Sequence, residues 1–229
     1  MNIKPLTIID KIAYLFLIVV FVFGVYYANT DPDYFEFSYT KEDGFAEYVT
    51  ALLLLSISLL SLYRIFKFYQ NKKLLWLLGT SFFVLIFFFG AGEEVSWGQR
   101  LFNIESSTYF LENNAQGETN LHNMVVDGKK VNKLIFSQLL TLVLVFYLLI
   151  FPILYRNVLW IKNLTNQFAV PVVKWHHTIA FILCTALVLS MPSNRKWELY
   201  ELAFGVIFFL IFLNPLNSEV FKAKPQTSA

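Results

Sequence analysis

The sequence predicts an all-α, polytopic integral membrane bundle with about six transmembrane helices. Three observations predict it. Apolar residues make up 57% of the 229 positions and charged residues only 15%, against about 25% charged in a soluble domain. Six apolar segments approach the roughly 20 residues needed to cross a bilayer core about 30 Å thick. These segments are apolar on all faces, whereas a helix on the surface of a soluble protein keeps a polar face. The length allows one domain, residues 1–229.

The spans are expected at 12–28, 45–66, 74–91, 134–154, 175–191 and 197–213. Lys4 and Lys11 precede the first, as in a signal peptide. However, Val25-Tyr26-Tyr27-Ala28-Asn29 offers no small-x-small cleavage site, so the segment reads as a retained helix. The third contains the run Phe82 to Phe89, and Asn214-Pro215 stops the sixth. Tyr26, Tyr27, Tyr48, Trp76, Trp97, Trp175, Trp197 and Tyr200 fall near span ends, where amphipathic rings sit at the headgroup level.

Loop charge gives the orientation. Arg64, Lys67, Lys72 and Lys73 follow the second span, and Arg156, Lys162 and Lys174 follow the fourth. The first loop is acidic, with Asp31, Asp33, Glu36, Glu42 and Asp43. The excess of Lys and Arg marks cytoplasmic loops. It places both termini inside and the long 92–133 loop outside. Arg195 and Lys196 run against that pattern. The net charge of +2, without a run of about five basic residues, argues against a nucleic-acid partner. The single cysteine, Cys184, cannot form an internal disulfide.

A loop of about 40 residues is uncommon unless it is functional or disordered. Trp97, Leu101, Phe102, Tyr109, Phe110 and Leu111 make this one too apolar for disorder, so short interfacial helices are expected in it. Ser106-Ser107-Thr108 supplies an N-cap for one of them.

Two stretches carry chemistry. The first is Gly92-Glu93-Glu94-Val95-Ser96-Trp97-Gly98-Gln99-Arg100. If the third helix persists, Glu93, Trp97 and Arg100 share a face. An ionised carboxylate at mid-bilayer costs about 2.5–3.5 kcal/mol on insertion scales. Adjacent acids therefore belong at the outer edge or beside a hydrated cavity. They read as a catalytic or metal-binding pair, or more plainly as a Glu93–Arg100 ion pair that anchors the helix end. The second stretch is Asn113 to Asn123. On a helix its Glu118 and His122 lie four apart, a spacing that suits two ligands of one metal. The plainer reading is a polar loop with Asn and Gly turns.

Asp43 and Glu47 open the second span, and Glu198 and Glu201 open the sixth. Acids suit a helix N-terminus, where the dipole is positive. The topology nevertheless puts all of these acids at one membrane face. His176 and His177 start the fifth span on the opposite side and are expected to pack beside Trp175.

The blocks at 92–100 and 114–123, with Glu42-Asp43-Gly44 and Glu47, resemble a family of bacterial multi-pass membrane proteins. That family carries Gly-Glu-Glu-Ile-Ser-Trp-Gly-Gln-Arg followed by Asn-x-Gln-x-Glu-x-x-x-His-Asn. The resemblance implies a bacterial cytoplasmic (inner) membrane location and brings no activity. Glu93-Glu94 also looks like the opening of the CAAX-type intramembrane glutamate proteases. The match stops there: Arg100 lies two positions too far along, and Glu118 stands where a Phe would precede the histidine. The similarity is one of chemistry.

The chain reads as a membrane hydrolase or group transferase. Catalytic roles are expected of Glu93, Glu94, His122 and Arg100, with a divalent metal such as zinc on Glu94, Glu118 and His122. Trp97, Gln99, Gln116, Asn120 and Asn123 would bind a lipid, lipid-linked or peptide substrate at the outer face, with Asp43, Glu47, Glu198 and Glu201 as supporting acids. A transporter or ion sensor, and a non-catalytic assembly subunit, are the alternatives.

Overall fold

A computed structural model describes residues 5–121, 123–126, 129–130 and 140–222. Among the described residues the regular elements are helices and one two-residue ladder, with Val125 opposite Lys130 and Val126 opposite Lys129. Helix α1 spans Ile8–Thr30. Its start is set by Thr7, whose Oγ1 accepts the Asp10 amide at 3.1 Å while the Asp10 carboxylate accepts the Thr7 amide at 2.8 Å. This reciprocal cap satisfies two orphan donors of the first turn. A short turn α2, Pro32–Tyr34, leads through a π turn, Phe35–Tyr39, to α3, Phe45–Phe68. Helix α4, Leu74–Glu94, folds back along α3. The Ser58 hydroxyl on α3 donates to the Val84 carbonyl on α4 at 2.8 Å.

The next helices are α5, Thr108–Asn113, and α6, Leu140–Val145. The first part of the expected fourth span, residues 134–139, lies outside the described residues. A π turn, Phe146–Ile150, joins α6 to α7, Phe151–Asn157. Pro152 explains the turn. It has no N–H for the Leu148 carbonyl, so a regular ladder would leave that carbonyl bare. The Thr178 hydroxyl fills the gap, donating to Leu148 O at 2.9 Å. Helix α8, Leu159–Gln167, breaks away at 113° from the preceding helix. Helix α9 is Trp175–Leu189 and α10 is Lys196–Leu213.

Helix α10 forms the spine. It packs on α1, α3 and α9, and buries Leu199, Leu202, Ala203, Val206, Ile207, Leu210 and Ile211. It ends at Asn214-Pro215, where Phe212 O has no continuing helix to bond. Buried Arg64 of α3 donates to that carbonyl at 2.6 Å, a cation at the negative end of the dipole.

The two ends of the bundle differ in charge, although Asp10 lies at the basic end and Arg100, Arg195 and Lys196 at the acidic one. One end of the bundle gathers the start of α1, the end of α3, the start of α4, the start of α9 and the end of α10. Bonds across it include Tyr14 Oη to His176 Nδ1 at 2.7 Å, Trp76 Nε1 to Val220 O at 3.1 Å, and Lys72 Nζ to Val220 O at 2.8 Å. Arg64, Lys72, Arg156 and Lys174 lie there. The opposite end gathers the acids described below.

Among the described residues, three helices are long and apolar enough to cross a membrane, at Ile8–Thr30, Phe45–Asn71 and Leu74–Glu94, and a fourth if the pair bent at 113° is one span. Their apolar windows are only 28%, 33% and 17% buried within the protein. Leu15, Ile18, Val22, Phe82, Leu85 and Phe88 face outward. Such surfaces need lipid, because an exposed apolar area of this extent is not stable in water. Helix α9 is shorter than a usual span, and α10 starts with three charged residues among its first six.

Helix α4 also approaches the 168–170 segment closely. A Cβ on Gly79 would lie 1.8 Å from Phe168 O, a backbone atom, whereas one on Gly90 would meet only a Leu54 methyl at 3.4 Å. Gly79→Ala is therefore expected to cost about 1–3 kcal/mol. Gly90→Ala should be neutral or slightly stabilising, because Ala is the better helix former. Thermal unfolding in detergent checks both. Equal melting temperatures for the two variants would contradict the close approach.

Candidate functional site at the acidic end of the bundle

The third expected span does not continue as a helix. It stops at Glu94, and Ser96, Trp97 and Gly98 adopt φ of 46°, 55° and 78°. Left-handed backbone at Ser and Trp costs on the order of 1–3 kcal/mol each and persists only where surroundings over-determine it. Two features do so here. Gly92 lacks the Cβ that would sit 2.8 Å from the Trp97 ring, so the indole folds back onto α4. The Ser96 hydroxyl is held by Glu118 at 2.7 Å and by Asn120 at 2.9 Å.

Glu93, Trp97 and Arg100 consequently do not share a helix face. Glu93 and Trp97 still meet, through Trp97 Nε1 donating to Glu93 Oε1 at 2.8 Å. Glu93 Oε2 accepts the Leu121 amide at 2.7 Å, which pins the second stretch to the end of α4. Arg100 pairs with Asp43 and Glu118. Arg100 thus bridges the start of α3 to the loop, in place of the expected Glu93–Arg100 pair.

Residues 114–121 and 123–124 form turns and a bridge between Asn114 and Met124, so Glu118 does not lie on a helix. Gly117 takes φ of 69°, and Asn114 substitutes for backbone. Its Oδ1 accepts the Gln116 amide at 2.9 Å and the Glu118 amide at 3.2 Å, while its Nδ2 donates to Asn120 O and Oδ1, both at 2.9 Å. Asn120, 1% exposed, donates to Glu118 Oε2 at 2.8 Å. Glu118 is thereby engaged by Arg100, Ser96 and Asn120. His122, the expected catalytic and metal-binding imidazole, lies outside the described residues. Ser107 does occupy the N-cap position of α5, but its side chain makes no capping bond.

Outside this lattice lies a rim. Gln99 Oε1 accepts the Thr119 amide at 2.7 Å. Gln116 joins Asn123 at 2.7 Å and Glu42 at 2.8 Å. Arg195 donates to Glu42 at 2.9 Å and to Glu198 at 3.3 Å. Burial alone pulls the Arg195 guanidinium down, but Glu42 and Glu198 outweigh it and hold it above its usual value. Lys196 Nζ donates to Met191 O at 2.9 Å. Both cations that run against the loop-charge pattern are thus engaged locally. Trp97 remains 44% exposed beside these groups, and Asn120 is buried away from any ligand.

The acids then separate by surroundings. Glu93 and Glu118 are buried and tied to loop donors. Glu94 shares an electrostatic field with Glu201, Glu47, Glu198 and Glu93, so α3, α4 and α10 converge their carboxylates. Glu47 Oε2 accepts the Asp43 amide at 2.5 Å. Among the described residues, the Glu94 carboxylate makes no hydrogen bond or ion pair. Sequence reading identified each of these acids but missed Ser96, Asn114 and the acid-binding part of Asn120. No spacing rule marks a hydroxyl or amide that serves a carboxylate across a loop.

No family model, curated protein or solved structure matches the chain.

Asn120→Ala removes a donor to a buried carboxylate. Hydrogen bonds to charged groups are worth about 1.5–3 kcal/mol, and the loss is expected in that range. Glu94→Gln removes no bond and relieves like-charge repulsion, so its stability should equal or exceed that of the parent. Denaturation in detergent compares the two variants. Greater destabilisation by Glu94→Gln would overturn the division of roles.

Proposed function

We propose that the chain is a six-span membrane hydrolase or group transferase working at the extracytoplasmic face, with both termini in the cytoplasm. The alternation of basic and acidic bundle ends supports this topology, because Lys- and Arg-rich ends stay inside. The resemblance of its sequence blocks supports a bacterial cytoplasmic membrane. The observation that carries the functional reading is the convergence of Glu47, Glu94, Glu198 and Glu201 from three helices, with Glu94 making no hydrogen bond or ion pair among the described residues. Ionisable groups at membrane depth are costly and mark function by default.

Glu94 is the general base. It takes the proton from water or from an acceptor hydroxyl as that group attacks the substrate, and a neighbouring carboxyl that holds a proton, from Glu47, Glu198 or Glu201, gives it to the leaving group. Paired carboxylates divide acid and base work in this way. Arg100 stays with Asp43 and Glu118 and positions the loop, so it is not the oxyanion-binding cation. Glu118 would have to leave Arg100, Ser96 and Asn120 to ligate a metal, so the reaction is assigned to carboxylates alone. Exposed Trp97, with Gln99, Gln116 and Asn123 at the rim, offers an aromatic and amide surface to a lipid, lipid-linked sugar or membrane peptide. A transport path has less support. Thr50, Ser58, Ser61, Thr80 and Thr178 all donate their hydroxyls to backbone carbonyls.

The protein reconstituted in vesicles of bacterial lipid extract, followed by mass spectrometry of lipid and lipid-linked species, should consume one class. Glu94→Gln should abolish that turnover with unchanged folding. Turnover that survives Glu94→Gln, or a wild-type protein that turns over no species in the extract, refutes the assignment.

A further inference from the structure

The opposite end of the bundle holds a second group of ionisable side chains. Asp10 lies in the first turn of α1, and His176 and His177 open α9. One carboxylate oxygen and one nitrogen from each imidazole lie within 4.8 Å of one another. Asp10 and His177 are buried, at 2% and 0% exposure. This environment is unlike the acidic end, because two imidazoles here meet a single carboxylate.

Each member is oriented by a neighbour. Asp10 Oδ2 accepts both the amide and the hydroxyl of Thr7 at 2.8 Å. His176 Nδ1 meets Tyr14 Oη at 2.7 Å, which leaves Nε2 as its ligand atom. His177 Nδ1 takes the Lys174 amide at 3.3 Å, and its Nε2 is buried with no hydrogen-bond partner among the described residues. A buried polar nitrogen without a partner costs about 1–3 kcal/mol, and such a group calls for an explanation. Packing beside Trp175, the role expected from sequence, does not supply one. Trp175 stacks on Arg156, with the guanidinium 4.3 Å from the ring centre, and leaves the imidazoles to Tyr14 and Asp10.

From this geometry we infer that Asp10, His176 and His177 form a binding site for a divalent first-row transition-metal ion, clasping α1 to α9 at the basic end. Two imidazoles with one carboxylate suit zinc or ferrous iron. Ligand atoms on one tetrahedral zinc ion lie about 3.3–3.5 Å apart, so the three side chains need close by at most about 1.5 Å. The Tyr14 bond is the outer-sphere contact that holds a ligating imidazole in one tautomer and orientation. Ligation through His177 Nε2 moves that ring's proton to Nδ1 and breaks the long bond from the Lys174 amide. Lys174 is also a cationic neighbour of both imidazoles and weakens the site, against the favourable charge of Asp10. The site is independent of Glu94 and of the reaction proposed at the other end.

The test is a cobalt titration of the purified full chain in detergent, after chelator treatment. Cobalt(II) reports its coordination by visible absorption, and zinc competes for the same site. One cobalt ion per chain is expected, displaced by zinc, with metal raising the melting temperature. His177→Ala and Asp10→Asn should each lose binding by tenfold or more and lose the thermal shift. Tyr14→Phe should weaken binding, and Glu94→Gln should leave it unchanged. If His177→Ala does not fold, Asp10→Asn and His176→Gln carry the test, since both preserve side-chain shape. No stoichiometric cobalt binding by the wild type overturns the proposal. So does binding that survives these substitutions, or binding lost in Glu94→Gln.

Discussion

The structure depends on one constraint: carboxylates buried at one end of the bundle, such as Glu93 and Glu118, must be met by donors that the chain itself provides. An ionised group buried without partners costs several kcal/mol. The loop after α4 answers this demand. Arg100 bridges Asp43 and Glu118, Ser96 and Asn120 complete Glu118, and Trp97 with the Leu121 amide completes Glu93. This explains how the described part of a long loop folds with little regular structure beyond α5 and a two-residue ladder. Its order comes from buried acids that need partners and from amides that replace backbone bonds. It also explains why the backbone tolerates left-handed residues at Ser96 and Trp97. Their strain is offset by bonds that a continued helix would not make.

The same logic runs through the bundle at smaller scale. Pro152 frees Leu148 O, and Thr178 takes it. The end of α10 frees Phe212 O, and Arg64 takes it. Each repair ties together helices distant in sequence, so polar satisfaction also fixes the packing order. The apolar faces left outward by α1 and α4 have no such specificity and suit lipid. Ordered polar contacts thus concentrate at the two ends and at helix breaks, and chemistry is available only where an ionisable group escapes full satisfaction. Glu94 at one end and His177 Nε2 at the other are two such places.

Much of this was legible in the sequence. The helical membrane class followed from apolar runs, and the boundaries of the second and third expected spans fall within a few residues of α3 and α4. Convergence of Glu47, Glu94, Glu198 and Glu201 followed from alternating the spans. The helical extrapolation past Glu94 failed because periodicity carries no information on where a helix stops when the stop is set by a tertiary bond. A helix through Glu118 was expected for the same reason, but Asn114 and Gly117 turn the chain there, and His122 lies outside the described residues. The Asp10–His176–His177 group was hidden by its separation, with 166 residues between Asp10 and His177. Only the arrangement of α1 beside α9 brings it together.

Acids from α3, α4 and α10 converge at one end of the bundle, close enough for Glu94 to feel the charges of Glu47, Glu198 and Glu201. Paired cysteines at positions 94 and 201, in a Cys184→Ala background, test it directly with a short bifunctional thiol reagent in native membranes. The account predicts efficient intramolecular cross-linking for that pair and none for a pair at 94 and 177, which lie at opposite ends. Absence of the 94–201 cross-link, or equal yields for the two pairs, would contradict it.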